Sequence, residues 1–299
     1  MAITAEFKGR PTIDLSGVPI AGFLEGKFGE EIFNEARARA FEKYNSAPSL
    51  LTPFYQGGVV RGSNPFYAVL VNEVLRNNKL NLHTATPADI GICINLRGWG
   101  IGHDCYIDTA LVLSSVTNPY NQDNLSLAKD LAAQIEHRLG KQLELSVMPL
   151  NGFDLKNDNN KYGLGLVLRE DAEIIHSDVL NQQGKFDQKD INPETGLPRE
   201  VRREGSRYLY TRSEGLSRLC VDSSLDLDAY WSNFGYSGFI SEINEDDSGR
   251  VVICGEAAGV DKDVILKDYI LRFKTERTAE IDALNQRYEK AIKILKGKE

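Results

Sequence analysis

Close-paired cysteines are missing from this sequence. The four it has, Cys93, Cys105, Cys220 and Cys254, lie far apart, and none falls in a CxxC pair. That spacing excludes a disulfide-framed small fold and the ordinary structural zinc site, whose ligands come in close pairs. Each cysteine sits in or beside an apolar, β-like run, so all four are expected to be reduced, buried thiols in a cytoplasmic setting. Long apolar runs are missing too. The longest, around 90–96 and 106–116, fall well short of the roughly 20 residues that span a bilayer, and no membrane partner is expected. The first fifteen residues carry early charges and no apolar core, which argues against a secretory signal. Histidine is scarce, at positions 83, 103, 137 and 176, so general-base candidates are few. No Ser–His–Asp, Cys–His or P-loop pattern occurs, and neither a cofactor nor a metal is expected. The net charge of -8 speaks against a surface built as a whole to bind nucleic acid.

Apolar residues make up 41% of the 299, enough for a full core. Phe28, Ile32, Phe33, Ala36, Ala40 and Phe41 recur at helical spacing and predict a helix over 28–45. A second helix opens at Asn64-Pro65, with Ser63 or Asn64 as cap, and a third spans 123–140, closed by Gly140. The segment 46–64 reads as a Pro/Gly-rich connection and 86–89 as a turn. Alternation over 90–97 and an apolar run over 105–116 predict a hairpin across the glycine-rich link GWGIGHD. Further strands are expected in 143–150, 162–169, 172–179, 207–212, 216–222, 225–231, 239–243 and 250–257. Strands in consecutive runs favour an α+β fold: a mostly antiparallel sheet, about three packed helices and a long C-terminal helix. The expected organisation is an α+β body over 1–180, a polar loop or linker over 181–206, a β-rich region over 207–259 and an amphipathic helix over 260–299.

Five patterns could carry chemistry. The glycines of GWGIGHD precede a strand rather than a helix, the wrong context for a phosphate loop. His103, Asp104 and Asp108 pose the question of a metal, but no further converging ligand can be named outside that segment. Asp178, Asp187 and Lys189 have the residue types of a two-carboxylate, one-lysine metal site, although the second half lies in a polar loop. Oxygen-bearing side chains crowd 154–161, which reads as an Asn/Asp-rich turn. The segment 196–218 carries six arginines and no lysine. Arg202, Arg203, Arg207 and Arg212, interleaved with Tyr208 and Tyr210, suit an anion or nucleic-acid contact, while Glu200, Glu204 and Glu214 suit an internal ion network equally well.

The last element is the longest. Ile281, Leu284, Tyr288, Ile292 and Leu295 form an apolar seam, and residues 262–299 hold ten Lys/Arg against seven Asp/Glu on a chain of net charge -8. A continuous helix of about 35 residues would run about 50 Å. The expectation is therefore a non-enzymatic binding or assembly module. It would associate with a protein partner or a second copy through this helix, and through a loop-rich β surface near 222–248. Nucleic acid is the weaker partner. The rival class is a metal-dependent phosphate-handling enzyme, a nuclease or phosphoesterase, with the arginine segment as anion clamp.

Overall fold

A computed structural model describes residues 4–7, 10–14, 22–44, 51, 53–80, 82–91, 105–114, 125–211, 215–222, 225–230 and 249–255; side chains are described for these except 4–14 and 228–230. The chain divides into two units, 1–256 and 257–299, and everything described belongs to the first. The expected C-terminal helix, with its seam from Ile281 to Leu295, lies outside the described residues, as do His103, Asp104 and Arg212.

The fold is α+β, with antiparallel pairing dominant. Its strands, in chain order, are β1 (Thr4–Phe7), β2 (Arg10–Asp14), β3 (Gly22–Phe23), β4 (Phe54–Gln56), β5 (Val59–Arg61) and β6 (Leu82–Thr84). There follow β7 (Tyr106–Leu113), β8 (Val147–Leu150), β9 (Phe153–Asn157), β10 (Leu164–Leu168), β11 (Glu173–His176) and β12 (Gly184–Phe186). The last are β13 (Arg207–Tyr210), β14 (Leu216–Val221), β15 (Leu227–Tyr230), β16 (Gly249–Arg250) and β17 (Val252–Gly255). A ten-stranded sheet runs β12-β13-β15-β14-β7-β16-β5-β4, with β8 also on β7 and β11 on β8. Two of its pairings, β13·β15 and β16·β7, are parallel. The same sheet thus holds strands from both sides of residues 181–206, which themselves contribute β12 and a 3-10 turn at Gln188–Asp190.

Three helices match the apolar periodicities: α1 (Gly26–Lys43), α2 (Pro65–Asn77) and α3 (Leu125–Leu139). Asn64 caps α2, its side chain accepting from the Tyr67 amide at 3.0 Å, and Pro65 occupies the first turn. Gly140 follows α3 at φ +66°, the left-handed conformation that glycine adopts without a Cβ penalty. Phe66, Tyr67, Leu70, Val71, Val74 and Leu75 of α2 are fully buried, each apolar side chain contributing about 1.5–3 kcal/mol by burial. α2 packs on α1 and covers one face of the sheet, and a second apolar cluster fills the other face. β7 serves both: Leu111 and Leu113 face the first cluster, Ile107 and Val112 the second.

Four sequence expectations need correction. Residues 46–64 are more than a connection: β4 and β5 form a hairpin across Gly57-Gly58, both at positive φ. The supposed turn at 86–89 opens a helical segment at 87–91, capped reciprocally by Thr86 and Asp89. Ile90 and Gly91 end that segment rather than starting a strand; 92–97 lie outside the described residues. Finally, 154–161 is only half turn, because β9 runs to Asn157 and pairs with β10, burying Phe153 and Leu155.

Candidate functional site

The most unusual chemistry lies at the centre of the sheet, on the face toward α2. Side chains two apart on a strand share a face. Tyr106 and Asp108 on β7 therefore meet Arg218 and Cys220 on β14, where Cys220 pairs with Asp108. The β7–β14 register shifts here: Asp108 and Ala110 face Cys220 and Leu219, leaving Thr109 over as a bulge residue. Its hydroxyl donates to the Leu219 carbonyl at 2.8 Å. The Cys220 thiol donates to Asp108 Oδ1 at 3.2 Å, and Arg218 Nη1 stands 3.6 Å from the same oxygen. Arg218 also donates to Tyr106 Oη at 3.2 Å and lies over that ring, 4.6 Å from its centroid. Gly249 is required beside them: a Cβ there would come within 2.9 Å of Ser63 N, Ser63 O and Tyr106 Oη.

Asp108 is 6% exposed and Ser63 is fully buried. Burial pushes the Asp108 carboxyl above its usual range, and Arg218, Cys220 and Ser63 only partly oppose it. Arg218 stays charged, as guanidinium does in proteins. Although Ser63 lies close enough to act on Asp108, it is outside hydrogen-bond geometry: Asp108 Oδ2 and Ser63 Oγ are both buried without a partner. Each such orphan costs about 1–3 kcal/mol unless something satisfies it.

Asp108 also lines a cavity of about 40 Å³ between α2 and β7. Pro65, Ala68 and Val69 form its helical wall, and Ala110, Leu111 and Phe153 face them. Its remaining polar lining is paired. Asn72 and Thr84 exchange two hydrogen bonds of 2.8 Å. Asn151, at φ +46°, donates to the Thr84 carbonyl at 3.2 Å.

The residues anticipated from sequence fall elsewhere, apart from Asp108. Asp178 is exposed at the start of a 3-10 turn. Asp187 accepts from the Ser206 amide at 3.0 Å and its hydroxyl at 2.9 Å, contacts that hold its carboxyl below the usual range. Lys189 is exposed. Arg202 bonds Glu200 at 2.8 Å and Asp190 at 2.9 Å, and Arg203 is exposed. Arg207 is buried over the Phe186 ring and donates to Gln188; burial pulls its pKa down to about 10 against Asp226 and Asp222. Tyr208 and Tyr210 lean together with centroids 4.0 Å apart, and Tyr210 is exposed. Lys185, exposed on β12, stands opposite Tyr208. The structure thus gathers Asp187, Arg202, Arg207 and Tyr208 at the β12–β13 corner, while Asp108 belongs to the central cluster. Among the described residues, no three His, Cys, Asp or Glu side chains converge in a way that could hold a metal.

Sequence reasoning missed Ser63, Tyr106, Arg218 and Cys220 as companions of Asp108. The available signal was a lone aspartate in one apolar strand and a lone arginine in another, an arrangement that burial tolerates only if the two meet. The three described cysteines, Cys105, Cys220 and Cys254, form no disulfide with one another. No helix among the described residues is long and apolar enough to cross a membrane. Neither a family model, nor a curated protein, nor a solved structure matches the chain.

Proposed function

We propose that this chain is a non-enzymatic assembly module that binds a second copy of itself through residues 257–299. The observation that carries the reading is the division of the chain at 256/257. The first unit buries its own apolar faces in two clusters. The second contains the seam of Ile281, Leu284, Tyr288, Ile292 and Leu295, an apolar stripe that isolated helical spacing would leave wet. Charge supports the same reading, since residues 262–299 carry a net +3 on a chain of -8. Tyr208 and Tyr210, whose rings lean together on β13, offer a smaller second surface of the kind that suits recognition; of the stretch 222–248 expected to serve so, 223–224 and 231–248 lie outside the described residues.

The phosphate-enzyme alternative draws no comparable support. Two of its candidate carboxylates are engaged structurally, Asp187 with Ser206 and Asp108 with Arg218, while Asp178 stands exposed and Asp104 lies outside the described residues. Removing 257–299 and measuring mass by light scattering tests the assembly reading. The full chain is expected as a dimer or larger and the truncated chain as a folded monomer. Equal masses for the two would overturn it.

A further inference from the structure

We propose that Arg61 and Arg250 form a binding site for a phosphoryl group, either free phosphate or a phosphate monoester. The site lies within the first unit and does not depend on the assembly reading. It rests on a juxtaposition that strand pairing forces. Arg250 on β16 stands directly opposite Arg61 on β5. Residues so opposed share a face, with Cβ atoms about 4.5–5.5 Å apart. Like charges in that position destabilise a sheet, and an anion between them reverses the effect.

The strand neighbours do not supply that anion. The row across the sheet runs Phe54, Arg61, Arg250, Ile107, two cations between two apolar residues. One step along β4 and β5 on the same face stand Gln56 and Val59. Among the described residues, the first acid met along this face is Glu25, opposite Val59 and exposed. An exposed carboxylate is worth little to such a pair. Arg61 Nε is shielded from solvent and has no hydrogen-bond partner. Arg250 Nη1 donates to the Gly249 carbonyl at 3.0 Å, a neutral acceptor that leaves the charge in place. Both side chains are partly exposed, so a small anion reaches them from solvent.

Charge and oxygen count select the anion. Each guanidinium presents a planar fork that two oxygens fill. A carboxylate fills one fork and cancels one charge. A phosphoryl group brings three acceptor oxygens and a charge of about -1.5 to -2 at pH 7, enough to bridge both forks. A phosphodiester keeps two free oxygens and a single charge, so it matches one arginine and not the pair.

Isothermal titration of the full-length protein at neutral pH and matched ionic strength tests this with phosphate, methyl phosphate, dimethyl phosphate and acetate. The first two are expected to bind about tenfold tighter than the last two, and the tighter of the first two names the source, free phosphate or a monoester. Arg61→Met and Arg250→Met keep the aliphatic stem and remove the charge. Each is expected to weaken phosphate about tenfold or more, the loss of one charge-assisted contact. Arg61→Lys keeps the charge without the fork and is expected to fall between. Thermal unfolding adds a second readout. Phosphate should raise the midpoint of the wild type and leave that of Arg61→Met unmoved. In chloride alone Arg61→Met should melt no lower than the wild type, because it removes a like-charge contact. Absence of phosphate binding, equal binding of all four anions, or full phosphate binding in both methionine variants overturns the inference. So does a lower midpoint of both methionine variants in chloride, which would mean that a carboxylate of this chain already neutralises the pair.

Discussion

Glu73 and Asp108 are both buried carboxylates, one on α2 and one on the strand that α2 covers, yet the protein treats them in opposite ways. Glu73 accepts from Lys43 Nζ at 2.7 Å, Tyr44 Oη at 2.9 Å and Arg39 Nη1 at 3.1 Å. Burial raises its pKa, but these donors outweigh burial and the net shift is downward. Asp108 has one thiol and one guanidinium on a single oxygen and nothing on the other; burial wins and the shift is upward. What decides the sign is the balance of burial, deeper at Asp108, against the donors that reach the carboxylate, more numerous at Glu73. A helix-borne glutamate can be reached by a neighbouring helix one turn at a time. Inside a β-sheet an aspartate is confined to the few side chains on its own face.

The largest expected effect comes from removing Arg218, the one cation on Asp108 among the described residues. Arg218→Met leaves a buried carboxylate unpaired and should cost about 3–5 kcal/mol in urea unfolding at neutral pH. Arg39→Met should cost about 1 kcal/mol, because Lys43 and Tyr44 still hold Glu73. Equal costs for the two would break the comparison.

The next effect is one of pH. Glu73 has a depressed folded pKa, so its contribution is present above its unfolded value of about 4.5 and is lost as pH falls through the lower folded value. The penalty of Glu73→Gln should therefore shrink as the solution is made acidic. Asp108 has a raised folded pKa, so the folded state holds its proton longer than the unfolded state does. Stability from this group is full below about 3.8 and declines as pH rises through the folded value. Asp108→Asn should remove that decline. Urea midpoints against pH for both variants must diverge from wild type in opposite directions; parallel curves would refute the contrast.

The Glu73 cluster and the Asp108 cluster were not equally legible in the sequence. Helices α1 and α2 were readable because their apolar residues recur at 3.6-residue spacing, and Glu73 follows as a polar residue inside a buried helix. Strand β7 was readable as an apolar run, but the bulge at Thr109 was not. It depends on β14, more than a hundred residues away, and no local pattern encodes that register. β9 was hidden for the opposite reason: its Asp154, Lys156 and Asn157 carry turn chemistry, and only the alternation of Phe153 and Leu155 betrays a strand. At the arginine segment the residue types were plain but their partners were not. Arg202 lies in an ion network and Arg207 under an aromatic ring, outcomes that tertiary placement decides.

The smallest effect deletes one hydroxyl beside each carboxylate. Tyr44 Oη donates to Glu73 Oε2, and burial with the adjacent carboxylate keeps the phenol neutral and able to donate. Tyr44→Phe preserves the ring and removes that bond together with a longer one of 3.4 Å to the Leu155 carbonyl. It should cost about 1 kcal/mol, rather less than the loss of a cation, since Lys43 and Arg39 remain. Ser63→Ala removes a buried hydroxyl that has no bonded partner. Losing an unsatisfied polar group is close to neutral or slightly favourable, so its cost should lie within about 0.5 kcal/mol of zero. Two hydroxyl deletions at two buried carboxylates should thus differ because one group is bonded and the other is not. Guanidinium unfolding of both variants at neutral pH measures this. If Ser63→Ala costs as much as Tyr44→Phe, Ser63 is bonded to Asp108 in solution, and Asp108 would then be supplied with donors much as Glu73 is.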